Sequence, residues 1–167
     1  MKIMIITASE KKNLDLAKKF EETFTHLNIQ TEILNLLDLD LPLYNSRAEE
    51  LHSGAELLGQ SYQKIKDAKG FVFISPEYNG STPPVFNNFL AWLSRASKDW
   101  RECLNTKAAL IATFSGGGGF NVLQAMRSQL SFIGMNVLGR QILTHSNKPL
   151  EESSLKGVCQ ELIKHSI

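Results

Sequence analysis

Residues 70–89 read GFVFISPEYNGSTPPVFNNF. The opening GFVFI is apolar without a break, which suits a strand covered on both faces of a parallel sheet. At the far end Pro83 and Pro84 suit the first turn of a helix, where a missing N–H costs nothing. Between these two elements the chain turns through Pro76, Glu77, Tyr78, Asn79 and Gly80. A plain turn needs only one or two such residues. A longer run that includes an aromatic ring points to a loop holding a flat ligand. Tyr78 can lie along such a ligand, main-chain groups of 77–80 can reach its ring heteroatoms, and Asn79 can use both amide groups.

The rest of the chain repeats this strand–loop–helix pattern. KIMIIT (2–7) is an apolar run, followed by Leu14, Ala17, Phe20, Phe24 and Leu27 at helical spacing. IQTEILNL (29–36) alternates as a strand does. DLDLPLYNSRAEE (38–50) reads as a surface loop, and Leu51, Ala55, Leu58, Tyr62 and Ile65 as a second helix face. After GFVFIS (70–75) and a helix over 84–96 come a strand at 107–114 and a helix on Val122, Leu123, Met126, Leu130 and Ile133. The strand NVLGRQIL (136–143) and a helix over 152–165 complete the chain. Strands and helices alternate, so the expected class is α/β, with helices on both faces of a parallel five-stranded sheet. With no repeat, low-complexity tract or linker, residues 1–167 read as a single domain. Right-handed crossovers leave two common open arrangements, the dinucleotide-binding order and the flavodoxin-like order.

Composition narrows the function classes. Of 167 residues 43% are hydrophobic and 21% charged, which argues against disorder. Lys plus Arg number 18 against 17 Asp plus Glu, a balance that provides no field for nucleic acid or an anionic membrane. No stretch has the ~18 apolar residues of a spanning helix, and the first residues are too short in their apolar part for a signal peptide. Cys103 and Cys159 fit no metal or redox spacing, as expected of reduced thiols in a cytoplasmic protein.

In wound sheets ligands sit beyond the carboxyl ends of the strands. Three loops lie there: 7–13 (TASEKKN), 75–84 and 115–119 (SGGGG). The first meets the start of a helix, where free N–H groups and the helix dipole favour an anion. Thr7, Ser9 and Asn13 can add donors, and Lys11 and Lys12 positive charge, so a phosphate monoester is the natural guest. Ordinary capping by Ser9 or Asn13 would explain the same residues. Ser115 and Gly116, Gly117, Gly118 and Gly119 permit close backbone approach at considerable entropic cost, which argues for a use beyond a turn. These glycines follow the fourth strand, not the first, so they are no dinucleotide fingerprint. No nucleophile elbow is present. Glu77 has no second carboxylate or histidine near it in sequence, which argues against a general base. His145, just after the last strand, reads as a solvated loop residue.

The segment PEYNGSTPPVFNNFLAWLSR (76–95) resembles the P-E-Y-N-x-S-x-P segment and following helix of the NAD(P)H-dependent FMN reductase family, flavodoxin-like proteins that include quinone, azo-dye and chromate reductases. Ser115 and its glycines are similar to a shortened form of that family's glycine loop. The order of elements agrees over nearly the whole chain. The first loop departs: it lacks the family's leading glycine and arginine and is about two residues shorter, with Lys11 or Lys12 in place of the arginine charge. The resemblance implies a flavodoxin-like three-layer sandwich of strand order 2-1-3-4-5. It implies an oxidoreductase with bound FMN, the phosphate at Ser9 to Asn13 and the ring between Pro76–Gly80 and Ser115–Gly119. NAD(P)H would be co-substrate, passing hydride to the flavin and on to a flavin, quinone or similar acceptor. No side-chain catalyst is then required, since the flavin carries the chemistry. A flavodoxin-type electron carrier and a relative that has lost flavin are the alternatives. Val85, Phe86, Phe89, Leu90, Trp92 and Leu93 make the third helix apolar on more than one face. That surplus, like the resemblance, leads us to expect a homodimer or homotetramer, while a wide contact within one monomer would account for it equally.

Overall fold

The computed structural model describes residues 1–166. β1 (Lys2–Thr7), β2 (Gln30–Asn35), β3 (Gly70–Ile74) and β4 (Ala108–Phe114) lie in the order β2-β1-β3-β4, all parallel. The last expected strand is two short pieces, β5 (Asn136–Val137) and β6 (Ile142–Thr144), each paired parallel to β4. Arg127 explains why the break is tolerated. Its guanidinium donates to the carbonyls of Val137 and Leu138 (3.4 and 2.8 Å) and to Gln141 Oε1 (3.0 Å), replacing lost ladder bonds. The sheet is thus the flavodoxin-like 2-1-3-4-5 order with its fifth position divided.

Alternation along the strands sorts the core into two layers. Ile3, Ile5, Val72, Ile74, Leu110 and Ala112 face α1 (Lys12–His26) and α7 (Glu152–His165). Met4, Ile6, Phe71, Phe73, Ala109 and Ile111 face the opposite helices. The expected second helix over 51–65 is three short helices, α2 (Ser46–Leu51), α3 (Gly54–Leu58) and α4 (Gln60–Asp67). The breaks fall at extended His52 and Ser53 and at Gly59, whose φ of +52° suits glycine. Leu51, expected on the buried face, is exposed. α5 (Pro84–Ser94) and α6 (Phe120–Phe132) complete this layer.

The surplus apolar face of α5 is covered within the monomer. Trp92 is wholly buried and its indole N–H donates to the carbonyl of Pro42 (2.7 Å), with Tyr44 edge-on to its ring at 5.1 Å. Asn88 accepts from the Tyr44 N–H (2.7 Å) and donates to the carbonyl of Pro42 (3.0 Å). Segment 41–44 is therefore a pinned strap, and Trp92 offers nothing to a second copy. No described helix is long and apolar enough to cross a membrane.

Candidate functional site

Three strands end at one rim, and buried hydroxyls tie their ends together. Thr144 Oγ1 donates to the carbonyl of Thr113 (3.1 Å), and Thr113 Oγ1 to that of Ser75 (2.7 Å). Ser115 N–H donates to the carbonyl of Thr144 (3.0 Å). This line holds the 75–83 and 115–119 loops in fixed positions, since each bond satisfies a buried carbonyl that water cannot reach.

Beyond Ser75 the chain makes a tight reversal. Tyr78 and Ser81 exchange both main-chain hydrogen bonds at 2.9 Å. Asn79 and Gly80 between them have φ of +50° and +72°, as a type I′ turn requires. Asn-Gly is thus explained by backbone geometry, yet the Asn79 amide is exposed and bonds to no described residue. Tyr78 keeps 57% of its surface exposed. Glu77 turns to the neighbouring loop, where its Oε2 accepts from the Val122 N–H (3.2 Å) in the first turn of α6.

In the glycine loop one residue is demanded by the fold. Gly119 has φ +70°, and a Cβ there would lie 3.0 Å from Ser115 Cβ and Thr113 Cγ2. Side chains at Gly116 and Gly118 would meet nothing within 4 Å, and at Gly117 only Glu77 Oε1 and Ser115 Oγ at 3.9 Å. Ser115 is buried and its Oγ accepts from the Gly117 N–H (3.1 Å). The result is a shelf of bare backbone, wider than the fold itself needs.

The first loop has a different character. Ser9 Oγ accepts from the Lys11 N–H (3.3 Å), and α1 begins without a side-chain cap. The N–H groups of Ser9, Glu10, Lys12 and Asn13 have no partner among the described residues. Thr7 Oγ1, wholly buried at the end of β1, is also unpartnered. Lys11 and Lys12 are exposed, and Lys12 lies 3.8 Å from Asp15. Asn13 is 3% exposed and spends its amide on β4, donating to the Phe114 carbonyl (2.9 Å) and accepting from the Phe114 N–H (2.7 Å). Its side chain clamps α1 to β4, while its main-chain N–H stays among the free donors of the loop.

The site residues read from sequence thus come together at one rim, but Asn13 acts from behind the others. Sequence reasoning missed Phe114 and Val122, which act through main-chain groups and carry no residue-type signal, and Thr113 and Thr144, whose hydroxyls bond to carbonyls on neighbouring strand ends. Strongly shifted titratable groups lie away from this rim. Lys66, Tyr62 and Ser97 hold the Glu102 carboxyl down at about 2. Burial pushes the thiols of Cys103 and Cys159 up to about 11 and about 12, which keeps both unreactive.

A rim with free N–H groups at one end and a bare glycine shelf at the other suits a planar ring with an anionic tail. The family model for NADPH-dependent FMN reductase matches residues 1–148. The chain belongs to that family. It is an NAD(P)H-dependent oxidoreductase with FMN as cofactor. An NADPH azoreductase of Bacillus sp. (strain OY1-2) is 29% identical over 147 residues, 86% of this chain and 76% of that protein. A quinone reductase of Escherichia coli (strain K12) is 31% identical over 103 residues, 60% of this chain and 53% of that one. In fold, the flavoenzyme NAD(P)H:(acceptor) oxidoreductase FerB of Paracoccus denitrificans has a TM-score of 0.78 at 19% identity, with 99% of this chain and 96% of that chain covered. An archaeal flavodoxin reaches 0.70 at 12% identity, with 99% of each chain covered. At such identities these likenesses show the fold alone.

The residues present fit FMN. The shelf at Gly116–Gly118 has room that a ring can use, and the unpartnered N–H groups at α1, above the orphaned Thr7 hydroxyl, suit a phosphate.

Proposed function

We propose that this chain is an FMN-dependent NAD(P)H oxidoreductase whose acceptor is a flavin, a quinone or a similar small molecule. FMN, when bound, supplies the centre that takes up hydride from the nicotinamide and gives it to the acceptor. The protein binds and orients. Ser9, Lys11, Lys12 and the free N–H groups of the first loop would hold the phosphate. Pro76–Gly80 and Ser115–Gly119 would hold the ring, with Tyr78 and Asn79 at its edge. Asn13 would act indirectly, by fixing where α1 begins relative to Phe114. The observation that carries the reading is the glycine shelf: the run is costly in chain entropy, the fold requires only Gly119 of the four, and Gly116–Gly118 leave open space. The azoreductase and quinone reductase relatives support planar acceptors.

The test is optical. Protein mixed with FMN should be yellow, bleach on adding NADPH without oxygen, and regain colour with a quinone. Yellow protein that NADPH leaves unchanged would make it a carrier instead. Gly117→Val should weaken FMN binding by more than about tenfold with the melting temperature unchanged, since its Cβ meets protein atoms only at 3.9 Å. Asn79→Gly removes the amide without straining a positive φ and should weaken binding by less. Wild-type FMN affinity in both variants sinks this placement of the ring.

The same reading includes a cytoplasmic homodimer or homotetramer. With Trp92 covered, its support moves to the outer face between α5 and α6. Neither helix carries an acidic residue or lysine, and their one charge, Arg127, is committed to Val137, Leu138 and Gln141. Asn87, Ala91, Ser128, Phe132 and neighbouring Trp100 leave a largely uncharged surface, with Arg101 lying against the Trp100 and Phe132 rings at its edge, as the centre of a self-association requires. Phe132→Glu should return the assembly to monomer in sedimentation.

A further inference from the structure

Glu77 is the only acidic or basic side chain in the two loops that form the shelf, which read SPEYNGSTP (75–83) and SGGGG (115–119). Its position is fixed by one oxygen and left open at the other. Oε2 accepts from the Val122 N–H, and Oε1 lies 3.9 Å from where a Gly117 side chain would begin, on the bare strip of the shelf. No lysine, arginine or histidine pairs with it among the described residues. The side chain is part-buried, so solvent screens it incompletely. It also sits on the amino end of α6, a 13-residue helix whose partial positive charge would otherwise face the shelf.

Two electrostatic effects therefore have one sign. The carboxylate brings a negative charge beside the shelf, and it cancels the helix end that would favour an anion there. We propose that Glu77 biases the site toward oxidised flavin. It does so by disfavouring the reduced form, which near neutral pH carries one more negative charge on its ring. This makes Glu77 a tuning and positioning residue, not a proton donor or acceptor. The proposal rests on the placement of FMN given above and deepens it: the enzyme is set to release its electrons readily to a weak oxidant, and nicotinamide is a strong enough reductant to load it.

The test is a pair of binding measurements on the full chain. Dissociation constants for oxidised FMN (fluorescence quenching) and for dithionite-reduced FMN (anaerobic titration) are compared between wild type and Glu77→Gln. The glutamine oxygen can still accept from Val122 N–H, so the fold is kept and the melting temperature should hold. Wild type should bind oxidised FMN more tightly than reduced. Glu77→Gln should shrink that ratio about tenfold, equivalent to raising the bound flavin's potential by about 30 mV for a two-electron couple. Glu77→Ala should shift the ratio the same way while also lowering the melting temperature through loss of the cap. FMN that binds well in all three proteins with an unmoved ratio overturns the role of Glu77 and leaves the FMN site standing. A wild-type chain that binds neither form removes both.

Discussion

Two helices, α1 and α6, point their amino ends at the same rim and finish in opposite ways. α1 starts without a side-chain cap, with free N–H groups and two exposed lysines nearby. α6 starts on left-handed Gly119, and a carboxylate borrowed from another loop, Glu77, takes one of its first N–H groups, that of Val122. An uncapped helix start is worth about 1 kcal/mol less than a capped one, so the open end is a cost that a bound anion recovers. The contrast divides the rim: the end at α1 attracts negative charge and the end at α6 does not. A molecule with a charged tail and a neutral ring has one way to lie across it.

The contrast can be broken most severely at Asn13. Asn13→Ala leaves the N–H and carbonyl of Phe114 unpaired and releases α1 from β4. We expect a loss of about 2–3 kcal/mol, read by urea denaturation. FMN affinity should fall with it, because the free N–H groups at the start of α1 lose their fixed position. Next in size is Gly119→Ala, which forces alanine to φ +70° and into contacts of 3.0 Å. A loss of about 1–2 kcal/mol should appear in the same measurement, whereas Gly118→Ala, with open space around it, should change stability little. The smallest effect sharpens the comparison. Lys11→Gln with Lys12→Gln should weaken FMN binding about two- to fivefold at low salt and less at high salt. Riboflavin, which lacks the phosphate, should bind both proteins alike. An equal loss for riboflavin would move the phosphate away from α1.

Which parts of this were readable in advance follows from the reach of each interaction. Strands 1, 3 and 4 and the three rim loops announce themselves through local runs such as GFVFI and PEYNG, because burial on both faces and turn geometry act on neighbours in sequence. Asn13 misleads because its partner is Phe114, 101 residues away. As a first-turn polar residue it looks like a phosphate ligand or a cap, and nothing nearby reveals that a strand end has claimed it. Trp92 misleads in the same manner, since the strap that covers it comes from Pro42 and Tyr44, 50 and 48 positions earlier. The helix over 51–65 shows apolar spacing throughout, yet Gly59 and extended His52–Ser53 divide it, and periodicity does not register a change of direction. The gap between β5 and β6 is hidden for another reason. Arg127, which fills it, gives no sign in sequence that its guanidinium serves three acceptors on another element.

The hydroxyl line through Thr144, Thr113 and Ser75 anchors the rim entirely through strand ends. Glu77 holds α6 and Asn79–Gly80 need positive φ, whereas the side chain of Tyr78 and the positions 116 to 118 bear little of that mechanical duty. Replacements there can alter which guest is welcomed while the scaffold stays where it was, so new acceptor preferences are open to this molecule at small risk to its folding.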